Sequence, residues 1–216
     1  MKVDAAVQRL AHILPLKKQL DELAPAQAKI YLAVLNSFYL KGRAALVSEL
    51  TPTNANALAI LAQLAEKDML TLDDKGEVKG CYPFTMEQRV HRIELNGHNL
   101  HAMCAMDALA PSSMFGGPSV VVSECAVTAQ PVRVELDGER IVNTDQVADL
   151  YFGINWAAAS ACGSCSESLC TEMLFLKDPV TAAAWLKQDA DNRETFTLAQ
   201  AVQFAKGFFT PLMQQG

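Results

Sequence analysis

The chain has 216 residues, enough for one generous core or two small domains. Half of them are hydrophobic and 19% are charged, an ordinary balance for a globular protein and not for a disordered or fibrous one. The net charge is −6, and it is uneven: residues 1–80 balance at +1 and residues 81–216 at −7, a surplus that repels polyanions and argues against a nucleic-acid partner.

No window reaches the roughly 18 uninterrupted apolar residues of a membrane span, so no membrane partner is expected. The N-terminus carries Asp4, Gln8, Arg9 and His12 among its apolar residues, which predicts an amphipathic helix and not a secretory leader. Six cysteines occur, Cys81, Cys104, Cys125, Cys162, Cys165 and Cys170. A chain this rich in core residues needs no disulfide staples, so reduced thiols and a cytoplasmic location are expected. In that compartment clustered cysteines point to metal binding or catalysis.

In chain order, Ala6, Val7, Leu10, Ile13 and Leu14 share one side of a helix over 4–14, which Pro15 stops. A second helix starts at Pro25 and ends near Gly42, a residue suited to a C-cap. A short helix over 44–50 follows, then an apolar helix over 55–68 capped by Thr53 or Asn54. Two short strands around Lys75-Gly76 complete a unit that resembles a winged helix-turn-helix. Its last helix carries Glu66, Lys67 and Asp68 and no arginine, so a structural or substrate-covering role is expected and not DNA reading.

Residues 81–87 read as a linker, and 89–95 as a strand closed by the tight-turn pair Asn96-Gly97. Helical spacing is then read over 99–110, strands over 119–125 and 131–136, a strand over 170–176, and helices over 178–188 and 197–209; residues 141–156 carry no clear pattern. The expected fold class is α+β: an N-terminal winged-helix-like helical domain, residues 1–80, followed by a mixed or antiparallel β-sheet domain with flanking helices, residues 81–216.

Cys104 and Asp107 stand three apart, which on a helix places thiol and carboxyl on one face, roughly 5–6 Å apart at Cβ. On spacing alone, a buried cysteine followed by a solvated aspartate is the commoner meaning of C-x-x-D. The stretch 161–170 carries three thiols, Cys162, Cys165 and Cys170. Cys162-x-x-Cys165 has zinc-knuckle or redox-pair spacing, but no second pair completes a zinc site and no βαβ context supports a thioredoxin-like motif. A soft-metal site suits clustered thiolates better; a small-residue loop whose cysteines merely pack is the plainer possibility. Cys125 ends an apolar strand and is expected in the core. Cys81 has no evident partner, and His12, His91, His98 and His101 make no ligand pattern, although His98 and His101 could border the site.

Several blocks together resemble the organomercurial (alkylmercury) lyase family: residues 89–110 with Cys104 and Asp107, residues 121–128 with Cys125, and residues 168–176 with Cys170, followed by Trp185. Their order and spacing carry the resemblance across nearly the whole chain. It implies cleavage of a carbon–mercury bond by two cysteines, Cys104 and Cys170, with Asp107 as proton donor, and a structural role for Cys125. It implies no resident cofactor, mercury(II) held as product by Cys104, Cys170 and Asp107, and small cellular thiols that extract it, with mercuric reductase as a further partner. It also implies an N-terminal winged-helix-like domain not used on DNA. The pair Cys162 and Cys165 lies outside the family pattern and offers two additional mercury ligands. Thr171 stands where another cysteine can follow the second catalytic one. Two other readings remain open from the residues: a thiol-based mercury sensor regulating transcription, which leaves Asp107 unexplained, and a metal carrier that breaks no bond.

Overall fold

A computed structural model describes residues 2–52, 55–160 and 164–214. The expected capping residues Thr53 and Asn54 lie outside the described residues, as does Cys162.

Helix α1, Lys2–Ile13, buries Ala6 and Leu10, as the spacing predicts. The chain resumes at once as α2, Leu16–Asp21, which sequence reading passed over; Leu16 and Leu20 bury one side of it. Helix α3, Pro25–Lys41, starts on proline and stops where Gly42 takes a φ of +67°. That glycine also has a packing reason: a Cβ there would lie 2.7 Å from the His98 ring. Helices α4, Val47–Leu50, and α5, Ala57–Glu66, follow, and Asp68 turns the chain with a φ of 54° into β1, Leu70–Leu72.

Strand β1 pairs antiparallel with β2, Val78–Cys81. The next residues were expected to form a linker; instead Phe84–Thr85 is strand β3 and bridges β2 to β5, His98–Ala102. Strand β5 pairs with β4, Arg92–Leu95, across a turn in which Asn96 and Gly97 both have positive φ, the twist that suits a two-residue hairpin. Here the sequence reading fails in part. Helical spacing was seen over 99–110, but the hairpin ladder claims residues up to 102, and α6 spans only Ala105–Leu109. Helix α7, Pro111–Phe115, leads to β6, Pro118–Glu124, and β7, Pro131–Asp137, whose alternating burial is the period-2 pattern the sequence displays. Strand β8, Arg140–Ile141, closes an eight-stranded antiparallel sheet in the order β1-β2-β3-β5-β4-β6-β7-β8.

Beyond the short helix α8, Thr144–Val147, lies β9, Tyr151–Asn155, in a region without a sequence pattern. It is the centre of a second antiparallel sheet, flanked by β10, Met173–Leu176, and β11, Arg193–Thr197. Helix α9, Pro179–Lys187, is capped by Asp178, whose side chain accepts from the Thr181 amide; α10, Leu198–Phe209, is capped by Thr197. Phe152, Phe196 and Phe204 form an aromatic cluster where α10 meets this sheet. Each such side chain contributes about 1.5–3 kcal/mol on burial. The architecture is thus α+β, with a large antiparallel sheet and surrounding helices. A single bridge between Cys125 and Phe175 ties the tail of β6 to β10, and so one sheet to the other. Among the described residues no helix is long and apolar enough to cross a membrane.

Candidate active site

Strand β5 hands over through Met103 to Cys104, the N-cap of α6. The backbone of Cys104 is extended, with φ −151° and ψ 179°, and its sulfur accepts from the Asp107 amide at 3.3 Å. The contact between residues 104 and 107 is therefore a cap and not a pair on a helix face. The Cys104 thiol also donates to the Met173 thioether at 3.5 Å. Cys170 comes from the other sheet: it sits on a short 3₁₀ turn, Leu169–Glu172, that runs into β10. Its Sγ donates to Asp107 Oδ2 at 3.8 Å. One sulfur of Cys104, one of Cys170 and an Asp107 oxygen all lie within 4.8 Å of one another.

This centre is sealed. Cys104, Asp107 and Cys170 are 0%, 1% and 4% exposed, so a substrate reaches them only when neighbouring side chains move. Burial sets the proton inventory. The Cys104 thiol is pushed up to about 12, because burial disfavours the thiolate and the nearby Asp107 charge adds to that. Cys170 is also raised well above the ordinary thiol value, by the sulfurs of Cys104 and Cys165 beside it and by burial. Burial raises the Asp107 carboxyl to about 7; the Cys104 thiol and the Arg89 cation pull it back down. Two protonated thiols thus face a carboxyl group poised to gain or lose a proton near neutrality, the range in which a group serves equally as acid and base.

Three side chains that sequence reasoning did not single out hold this centre in place. Arg89 Nη1 donates to the carbonyls of Met103, at 3.3 Å, and Ser166, at 2.9 Å, clamping the strand before Cys104 to the loop before Cys170. Its Nη2 donates to Glu87 at 2.8 Å. Tyr82 accepts from the Ser166 amide at 2.8 Å and donates to Asp68 at 3.1 Å. The other Asp68 oxygen accepts from the Cys165 amide at 2.7 Å. The helical N-terminal region therefore grips the cysteine loop directly. No local motif marks these residues, because their contacts with the cysteine loop join distant parts of the chain.

The remaining candidates sort clearly. Cys165 is buried with its Sγ 3.9 Å from that of Cys170. Cys125 is buried at the junction of the sheets, its amide donating to the Gln130 carbonyl at 2.9 Å. Cys81 is buried beside the Tyr31 hydroxyl. Cys81, Cys125 and Cys165, like Cys104 and Cys170, are free thiols. His91 packs on Phe175 and shares a 2.8 Å hydrogen bond with Ser123, and burial holds its pKa down to about 4. His98 contacts the Leu40 carbonyl, and His101 contacts the backbone of Arg89. None of these histidines joins the centre formed by Cys104, Asp107 and Cys170.

Comparison with known proteins gives a consistent answer. The family model described as MerB, alkylmercury lyase, matches residues 84–210, a stretch that contains all three residues of the centre. An alkylmercury lyase of Staphylococcus epidermidis is 27% identical over 121 residues, covering 56% of this chain and 54% of the relative. One of Streptomyces lividans is 24% identical over 116 residues, covering 54% of this chain and 52% of the relative. The chain spans about half the length of the curated relatives it matches. A solved structure described as the mercury-bound form of MerB2 superposes with a TM-score of 0.73 at 19% identity, covering 93% of this chain and 98% of the other.

Proposed function

The chain belongs to the alkylmercury lyase family, and from that premise we propose that it breaks the carbon–mercury bond of organomercurials, releasing hydrocarbon and mercury(II). The observation that carries this reading is the convergence of two sulfurs and one carboxyl oxygen within 4.8 Å in a sealed site.

The chemistry follows from the parts. Thiolates are soft donors suited to mercury, but both thiols start protonated, so metal binding must expel their protons. In the first step Cys104 or Cys170 binds the mercury of R–Hg⁺, and its proton leaves with the ligand that mercury carried in. In the second, ionised Asp107 takes the proton of the other thiol, whose thiolate adds to mercury and weakens the Hg–C bond. Asp107 then returns that proton to carbon and R–H leaves. Mercury(II) stays on the two sulfurs, with an Asp107 oxygen close by. With a pKa of about 7, Asp107 is ionised often enough to accept a thiol proton, which contact with mercury makes more acidic, and protonated often enough to hand it to carbon. No resident cofactor is needed in this scheme. The regulator and carrier readings leave unexplained a buried carboxyl group held against two thiols.

The surrounding assignments belong to the same proposal. Residues 81–216 form the catalytic part, and residues 1–80 a winged-helix-like part that supports the site through Asp68 and does not read DNA; the acidic surplus of residues 81–216 and the absence of arginine from 55–68 support this. The five free thiols suit the reducing cytoplasm. There, small cellular thiols would take the product by exchange and pass it to mercuric reductase, giving resistance to organomercurials by detoxification.

Headspace methane from methylmercury tests the proposal. The unmutated protein releases methane, Cys104→Ala and Cys170→Ala release none, and Asp107→Asn retains mercury without releasing methane. An unmutated protein that yields no methane overturns the activity, and turnover in any of the three variants overturns that residue's role.

A further inference from the structure

Among the thiols that take no part in the reaction above, Cys165 stands beside the centre. Cys165 Sγ lies 3.9 Å from Cys170 Sγ, and Cys165 is not among the groups that all converge within 4.8 Å of one another. The position is built. The Cys165 amide is held by Asp68 at 2.7 Å, the next amide by Tyr82 at 2.8 Å, and the Ser166 carbonyl by Arg89 at 2.9 Å. Ser168 Oγ donates to the Ser164 carbonyl at 2.8 Å, closing the turn on itself. Cys165 is buried, with 6% exposure against 4% for Cys170 and 0% for Cys104.

We propose that Cys165 and Cys170 form a second two-thiolate site for mercury(II), to which the product passes from the Cys104–Cys170 pair before a soluble thiol removes it. This rests on the function proposed above only in taking mercury(II) as the product. The step balances without a redox change. The Cys165 sulfur adds to mercury held by Cys104 and Cys170, and the bond from mercury to Cys104 breaks. The proton that leaves Cys165 ends on the Cys104 sulfur, so one S–H is lost and one is formed. Cys170 stays bound throughout and acts as the pivot. The transfer frees Cys104 and Asp107 and leaves mercury on two sulfurs of one loop, where exchange with an external thiolate follows the same associative chemistry.

The test uses inorganic mercury(II) and the full chain in a Cys162→Ser background, so that residue 162 contributes nothing. One equivalent of mercury(II) is bound, reduced glutathione is added in increasing amounts, and retained mercury is counted by native mass spectrometry. With Cys104→Ala, the chain keeps one mercury through Cys165 and Cys170. Adding Cys165→Ala, or the near-isosteric Cys165→Ser as a guard against misfolding, lowers the glutathione needed to strip it at least tenfold. Equal retention with and without Cys165 overturns the second site. With Cys104 and Cys170 intact, loss of Cys165 slows handover of mercury to glutathione at least tenfold, followed by thiolate–mercury absorption; an unchanged rate overturns the relay. No organomercurial enters these measurements, so a failure of the methane assay and a failure of the second site are told apart.

Discussion

Replacing Asp107 with asparagine changes how stability responds to pH, and the size of the change follows from the burial of the carboxyl group. In the native chain its pKa stands at about 7, against 3.8 for an ordinary aspartate, because burial disfavours the charged form more than Cys104 and Arg89 favour it. A raised native value means that protonation stabilises the fold. The contribution is fully present below 3.8, shrinks as pH rises, and is gone once pH passes about 7. The gap between 3.8 and about 7 amounts to about 4 kcal/mol. Asparagine fills nearly the same volume and cannot ionise, so its stability curve lacks this slope. Urea unfolding of both proteins at steps from about pH 3.5 to about pH 8.5 gives the two curves. The unmutated chain loses ground to the variant steadily between the two pKa values and no further above them. Curves that run parallel across that window refute the argument that a carboxyl group is buried beside these thiols with a raised pKa.

Two further perturbations test the frame around the centre. Arg89→Gln removes the cation that holds the Asp107 pKa down, so the carboxyl ¹³C resonance of Asp107 should titrate above about 7, while Arg89→Lys restores most of the effect; an unmoved titration removes Arg89 from the electrostatics of the site. Tyr82→Phe takes an acceptor from the buried Ser166 amide and a donor from the half-buried Asp68. The expected loss is about 1–3 kcal/mol in urea unfolding, and a loss below about 0.5 kcal/mol contradicts the view that this hydroxyl pins the cysteine loop.

Much of the fold was legible where periodicity and punctuation agree. Strands β6 and β7 alternate cleanly, Pro25 and Gly42 bracket α3, and Asn96-Gly97 closes the β4–β5 hairpin. Legibility failed where tertiary pairing overrules local pattern. Residues 99–102 carry helical spacing, yet pairing of His98 to His101 with β4 and of His101 and Ala102 with β3 draws them into a sheet. Strand β3 is only two residues long and follows Pro83, so nothing local announces it. Strand β11 buries only Phe196, and β9 lies in a stretch that shows no period at all.

The site divides in the same way. Cys104 and Asp107 are neighbours in sequence, so C-x-x-D could be noticed, although their contact proves to be a cap. Cys170 is 63 residues from Asp107, and only the resemblance to a family joined them. Arg89, Tyr82 and Asp68 act across 77, 84 and 97 residues, and no short motif records such contacts. Their chemistry became visible only when the two sheets and the N-terminal helices were placed around one buried carboxyl group.

If Cys104, Asp107 and Cys170 act as one mercury-handling centre, anomalous diffraction at the mercury edge, from crystals reacted with one equivalent of an arylmercury compound, reveals it. The expected map has its strongest peak within bonding distance of Cys170 Sγ and of a second sulfur, Cys104 or Cys165, with no density for the aryl group. A dominant peak on Cys81 or Cys125, or mercury on Cys170 with the aryl group still attached, would contradict it.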